Sequence, residues 1–108
     1  MDPVPDPTAS TWRVQTLRDG GGTLLTVAGP LDIHTGAALL AAVTEAVSAG
    51  STRLDIDLTG IDSFDDHGAS ALLACRDAAQ MVDGGLHYRT CSGGVGQDVL
   101  LHAYAGEA

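Results

Sequence analysis

Two spacings of apolar residues take turns along the chain, one of two positions and one of three to four. Together they predict the element order β-β-α-β-α-β-α. Residues 11–18 set Trp12, Val14 and Thr16 against Arg13, Gln15 and Leu17, an imperfect alternation that fits a strand. Asp19-Gly20-Gly21-Gly22 follows, and because glycine accepts positive φ this run predicts a hairpin turn. Residues 23–28 are then the antiparallel return strand, ended by Gly29-Pro30. From Thr35 the period lengthens. Ala38, Leu39, Ala42, Val43, Ala46 and Val47 share one helix face, with Thr35 or Asp32 as the cap and Gly50 closing the helix.

Strict alternation returns at residues 53–58, where Leu54, Ile56 and Leu58 oppose Asp55 and Asp57, the pattern of a strand with one buried face. Ala71, Leu72, Cys75, Ala78, Ala79 and Val82 predict a second helix, stopped by Gly84-Gly85. Residues 86–90 read as a short strand. After the loop Ser92-Gly93-Gly94, residues 95–104 form a last helix through Val95, Val99, Leu100 and Ala103. Strand–helix–strand steps favour right-handed crossovers between parallel strands. The expected fold is a single α/β domain over residues 10–108, with a mixed four-stranded sheet, an N-terminal hairpin and helices packed mainly on one face. Residues 1–9, with three prolines among Asp, Val and Thr, read as a disordered tail.

Composition narrows the function classes. A chain of 108 residues suits one compact domain. Apolar residues make up 44% and aromatics only 4%, so the core must be built from Leu, Val, Ile and Ala. The net charge is −9, and the chain has no lysine; its basic residues are Arg13, Arg18, Arg53, Arg76 and Arg89. Such a surface repels phosphate backbones, which argues against nucleic acid and for a protein partner with a basic surface. Acidity serves equally well for solubility. No run approaches the roughly 20 apolar residues of a membrane helix, and the acidic N-terminus lacks the charge pattern of a signal peptide. A cytoplasmic protein that does not insert into membranes is expected. Cys75 and Cys91 have no metal-site spacing and read as small buried hydrophobes.

The chemistry-bearing cluster is SFDDHGAS, residues 63–70, at a strand-to-helix junction. Free amides and the helix dipole favour an anion there, so Asp65 or Asp66 can cap the helix. Capping explains one aspartate, but neither a second beside it nor His67. Asp62, Asp65, Asp66 and His67 are metal ligands by type, yet neighbours at a helix start point in different directions and a metal needs convergence. Ser63 and Ser70 flank His67 with nothing to orient it as a base. Neither a metal, a cofactor nor an enzyme activity is expected. His34 and His87 read as surface or half-buried residues.

AGPLDIHTGAALLAAV and RLDIDLTGIDSFDDHGASALL, with the spacing between them, resemble the STAS domain typified by bacterial anti-sigma factor antagonists. Gly29, Leu31 and Asp32 match the family's Gly-x-Leu-Asp, and Asp57-Leu58-Thr59 its Asp-Leu-Ser. Asp65-Asp66-His67-Gly68 stands where the family has Asp-Ser-Ser/Thr-Gly. The resemblance covers about residues 12–104. In the antagonists the first serine of that motif is phosphorylated by a partner anti-sigma factor kinase, which releases the complex. Here that position is Asp66, so the resemblance implies a fixed charge in place of a switchable one, smaller than a phosphate's. It also implies a partner-binding surface made of Asp32, Thr35, Asp62, Ser63, Asp65, Asp66, His67 and Gly68. Asp57 and Gly29 would support it, Asp57 by hydrogen-bonding loop amides near the cluster. Ser63 and Thr35 stand close enough to serve as alternative phosphate acceptors.

The function so implied is a non-catalytic, protein-binding regulator whose partner is an anti-sigma factor of the serine-kinase type. The alternative is a STAS accessory subunit of another assembly, such as a lipid-transport ATPase or a signalling scaffold. A weak homodimer is compatible with either.

Overall fold

The computed structural model describes residues 12–105. The tail expected at residues 1–9 lies outside them. Seven elements follow in order: β1 (Arg13–Asp19), β2 (Gly22–Leu31), α1 (Ile33–Ser48), β3 (Arg53–Phe64), α2 (Asp66–Ala78), β4 (Leu86–Arg89) and α3 (Val95–Ala105). They form one sheet in the order β1-β2-β3-β4, with β1 antiparallel to β2 and the other pairs parallel. Because the strand order never reverses, the three helices share one face. The core between is aliphatic. Leu25, Val27 and Leu31 of β2 and Leu54, Ile56 and Leu58 of β3 meet Leu39 and Val43 of α1, Leu72 and Cys75 of α2, and Val99 of α3.

Several boundaries differ from the sequence expectation, each for a local reason. β2 does not end at Gly29-Pro30 but continues to Leu31. Among the described residues β1 pairs only as far as Ala28, so Pro30, which has no N–H to give, lies beyond the reach of that strand. β3 does not end at Leu58 but runs to Phe64. Two register shifts against β2 insert extra residues into β3. Past Leu58 its inward positions are therefore Ile61 and Phe64, a spacing of three that hides the strand from an alternation test.

The second helix stops at Ala78, and Val82 reaches the core from the turn that follows, with its N–H on the Ala79 carbonyl at 3.0 Å. That turn must pass close to β3, where Gly84 N–H meets the Thr52 carbonyl at 2.6 Å. Cys75 is buried as expected, but Cys91 is exposed, in the turn between β4 and α3. α3 faces the sheet through Gly96, Val99 and Ala103, while Val95 and Leu100 are half-buried. A Cβ on Gly96 would stand 2.8 Å from the Leu58 carbonyl oxygen, so the glycine lets α3 sit directly on β3.

Of the two candidate caps for α1, Asp32 is the one used. Its Oδ1 accepts from His34 N–H at 2.9 Å and Thr35 N–H at 3.1 Å. Thr35 lies one turn inside, fully buried, and donates its hydroxyl to the Pro30 carbonyl at 2.7 Å. α2 is capped by Asp65, whose Oδ1 accepts Gly68 N–H at 2.9 Å. The two helices approach through small residues. A Cβ on Gly36 would lie 2.6 Å from that of Ala71, and one on Gly68 would fall onto the Leu31 carbonyl oxygen.

Two outcomes are expected. Gly68→Ala should destabilise the fold by about 2 kcal/mol or more in urea titrations, since backbone rather than a movable side chain opposes the added methyl. Asp32→Ala should cost about 1 kcal/mol near neutral pH. The amides of Thr35, first, and His34 hold the Asp32 carboxyl below its ordinary value of 3.8. A depressed acid stabilises the fold above that value and loses its contribution as pH falls through its folded-state value. The wild-type advantage should therefore persist from neutrality to about pH 4 and fade in more acid urea melts.

Candidate functional site

Parallel pairing of Leu31 with Phe64 brings the ends of β2 and β3 side by side. The β2–α1 and β3–α2 junctions therefore form one surface at the same end of the sheet, tied by Asp65 N–H on the Leu31 carbonyl at 3.3 Å. On this surface Asp32 is half-buried, while Ile33, Asp62, Ser63, Asp65, Asp66 and His67 are exposed. Ile33, at 55% exposure, is an apolar side chain among these carboxylates. Sequence reasoning did not single it out, although it directly follows the cap residue.

The two adjacent aspartates have separate tasks. Asp65 turns inward to cap α2. Asp66, the first residue of the helix, points towards α3, where its Oδ1 lies 2.9 Å from His102 Nε2. Protonated, the imidazole makes this an ion pair, with the Asp66 side chain 91% and the His102 side chain 52% exposed. Phe64 braces the same imidazole at 5.5 Å between ring centroids. A shallow groove of about 170 Å³ lies between α2 and α3, lined by Asp66, Ala69, Ser70, Leu73, His102 and Ala103.

Behind His102, α3 is fixed to the rest of the fold. The Tyr104 hydroxyl meets that of Tyr88 at 2.8 Å, and Tyr88 donates to the Leu72 carbonyl at 3.3 Å. Arg76 lies over the Tyr104 ring at 5.5 Å. Burial, first, and the Tyr104 contact push the Tyr88 phenol far above its ordinary range, so it stays neutral. Burial likewise pushes the Cys75 thiol up to about 12, which leaves no thiolate nucleophile there.

Other residues implicated by the sequence are placed differently. Thr35 is buried against Pro30 and does not belong to the surface, so it is not an accessible phosphate acceptor. Gly68 is also buried, and its part is to let α2 touch β2. Gly29 is buried with φ +90°, at the register shift that carries β2 onward. Asp57 does not reach the cluster. Its Oδ1 turns back to the Thr59 N–H at 2.9 Å and hydroxyl at 2.6 Å, because its register opposite Thr26 points it to the far face of the sheet. Ser63 is exposed and donates to Asp62 Oδ1 at 3.2 Å. His34 is exposed, and exposed His87 meets the Gly84 carbonyl at 2.8 Å. Among the described residues no three His, Cys, Asp or Glu side chains are grouped to hold a metal.

His102 had no signal of its own in the sequence. Its place beside Ala103 on the α3 face could be read, but the helix end it meets, 36 residues away at Asp66, depends on how α3 crosses the sheet.

This surface combines the carboxylates of Asp32, Asp62, Asp65 and Asp66 with the exposed apolar side chain of Ile33. Residues 14–104 match the family model described as Mlab, STAS domain. An anti-sigma factor antagonist from Mycobacterium paratuberculosis has the same fold, with TM-score 0.74 and 18% identity over 96% of this chain and 86% of that one. The Bacillus anti-sigma factor antagonist SpoIIAA in its unphosphorylated form gives TM-score 0.68 at 16% identity, over 88% of this chain and 84% of that one. A STAS domain antisigma-factor antagonist from Rhodobacter sphaeroides gives 0.59 at 15%, over 74% of this chain and 87% of that one. No curated protein matches the sequence. At such identities the structural likeness speaks for the fold, whereas the match over residues 14–104 speaks for descent: the chain belongs to the STAS domain family.

Proposed function

We propose that the protein is a non-catalytic regulator of the anti-sigma factor antagonist kind, in which Asp66 replaces the phosphorylatable serine. The observation that carries this reading is the position of Asp66. It is the first residue of α2, its side chain is 91% exposed, and it sits on the surface formed by the two strand–helix junctions. A carboxylate there cannot accept phosphate to become phosphoserine, so the usual kinase switch has no substrate. Its single charge, opposed by His102 when the imidazole is protonated, is also weaker than the roughly −1.5 to −2 of a phosphate. The protein would therefore remain closer to the binding-competent form than a phosphorylated antagonist does. The partner recognised would be an anti-sigma factor, with basic groups meeting Asp32, Asp62 and Asp66 and an apolar patch meeting Ile33. Such an activity belongs in the bacterial cytoplasm. No helix among the described residues is long and apolar enough to cross a membrane.

A second reading is an accessory subunit that would dock through the same helix end onto the ATPase of a lipid-transport assembly; the matched family model, described as Mlab, STAS domain, does not single out the antagonists. Co-expression with each class of partner separates the two. Retention of a GHKL-type anti-sigma kinase on tagged protein supports the first, and retention of a transporter ATPase supports the second.

The kinase reading makes a further demand. Incubated with a cognate anti-sigma kinase and ATP, Asp66→Ser, alone or with His67→Ser, is expected to gain about 80 Da, one phosphoryl group. Wild type should stay unmodified in the same assay by intact mass. Equal modification of wild type, at Ser63 for instance, would show that the switch was moved and not lost.

A further inference from the structure

β1 is an edge of the sheet, and the side of it turned away from β2 is unpaired among the described residues. Which of its backbone groups lie on that side follows from the hairpin. Asp19 pairs with Gly22 across the two-residue turn Gly20-Gly21, whose φ values of 58° and 92° are those of a type I′ turn. The pair that closes such a turn exchanges both backbone hydrogen bonds, and bonded and non-bonded pairs alternate from there along the ladder. Asp19, Leu17, Gln15 and Arg13 therefore bond to β2. Arg18, Thr16 and Val14 hold their N–H and C=O groups out to the free side. An open edge of this kind is a template for another strand.

The side chains of β1 alternate between the two faces of the sheet. Arg13, Gln15, Leu17 and Asp19 stand on the face without helices, and Val14, Thr16 and Arg18 on the helix side, where Val14 packs against the core. Arg18 Nη2 lies 4.0 Å from Glu45 Oε1, so Glu45 marks the side of α1 that overlooks β1. Ala38, Ala41 and Ala42 precede Glu45 at helical spacing and share that side. With side chains this small, α1 puts little bulk above the free edge, and Glu45 is its one acidic residue.

We propose that β1 pairs antiparallel with β1 of a second copy, about a two-fold axis through Thr16, joining two four-stranded sheets into one. Backbone and charge select the same register. Outward groups must face outward groups, so Val14, Thr16 and Arg18 can be opposed only by one another. The register centred on Thr16 uses the whole strand: Val14 meets the partner's Arg18 and Thr16 meets its own counterpart, with roughly six backbone bonds in all. The same register sets Arg13 opposite the partner's Asp19 at both ends, with Gln15 opposite Leu17 between. No like charges are opposed. Sliding the copies by two residues sets Asp19 against Gln15 or Arg13 against Leu17, and both ion pairs are lost. Opposite charges and paired threonines directly across an antiparallel ladder each stabilise it.

Main-chain bonds supply the affinity when one strand adds to another. A contact made by one strand and one side of a helix is smaller than a standard interface, so the association is weak and reversible. The axis is normal to the sheet, so the helices of both copies lie on one side, with the alanine sides of the two α1 helices adjacent. The two Asp66 surfaces then point to opposite ends of the joined sheet. The proposal does not depend on the partner suggested above.

Sedimentation equilibrium of the full chain from about 10 μM to about 1 mM, the weak end of specific association, should show reversible passage from one copy to two. Thr16→Pro should abolish it and leave the circular dichroism of the fold unchanged, because the N–H it removes is not given to β2. Arg13→Asp should weaken the dimer by about tenfold or more. Arg13→Asp combined with Asp19→Arg should restore it, because the axis exchanges those positions. In the wild type, hydrogen exchange at the Val14, Thr16 and Arg18 amides should slow by about tenfold or more over the same concentrations, and by less at Gln15 and Leu17, which already bond to β2. That readout needs no variant to fold. A single-copy mass at the highest concentration, open-ended growth, exchange at those three amides that ignores concentration, or a dimer indifferent to Thr16→Pro would each overturn the proposal.

Discussion

The absence of a side chain at Gly68 lets α2 rest its first turn on the Leu31 carbonyl. Much of the molecule depends on that contact. With β2 and α2 in touch, Gly36 and Ala71 can bring α1 alongside, and the junctions that follow β2 and β3 close into one surface. Asp65 then faces its capping amide, and Asp66, one residue on, is turned towards α3. The aspartate pair is thus a consequence of geometry. One carboxylate completes the helix end that the glycine permits, and the other is left on the surface.

α3 completes the surface from the other side. It sits on β3 through Gly96 and is held by Tyr104 against Tyr88, which places His102 between Phe64 and Asp66. Exposed pairs of this kind contribute little to stability. Their effect here is on charge, since any cation brought to Asp66 must compete with an imidazole already in place.

Much of the fold was legible because periodicity and turn chemistry agree. The seven elements, their order, the hairpin and the one-sided packing follow from Leu54/Ile56/Leu58, from Leu39/Val43 and from the glycine-rich turns. Legibility failed where tertiary pairing overrides local pattern. The extra residues in β3 break alternation after Leu58, so its last third looks like loop, and Pro30 looks like a strand end although no described strand pairs beyond Ala28 on that side. The site divided in the same way. Asp32 and the Asp65–Asp66 pair could be located from helix-start signals. The burial of Thr35, the outward turn of Asp57 and the meeting of Asp66 with His102 are set by contacts between elements distant in sequence or by strand register, which composition and spacing do not encode.

The two cysteines have different prospects. Cys75 lies inside the core with its thiol pushed up to about 12, while Cys91 stands in an exposed turn just before α3. Alkylating reagents attack thiolates that solvent can reach. In the folded protein a maleimide dye or spin label would accordingly attach at one position without any cysteine being engineered, and that position adjoins the helix bearing His102. Cys91 is thus a single-site spectroscopic handle next to the helix that bears His102.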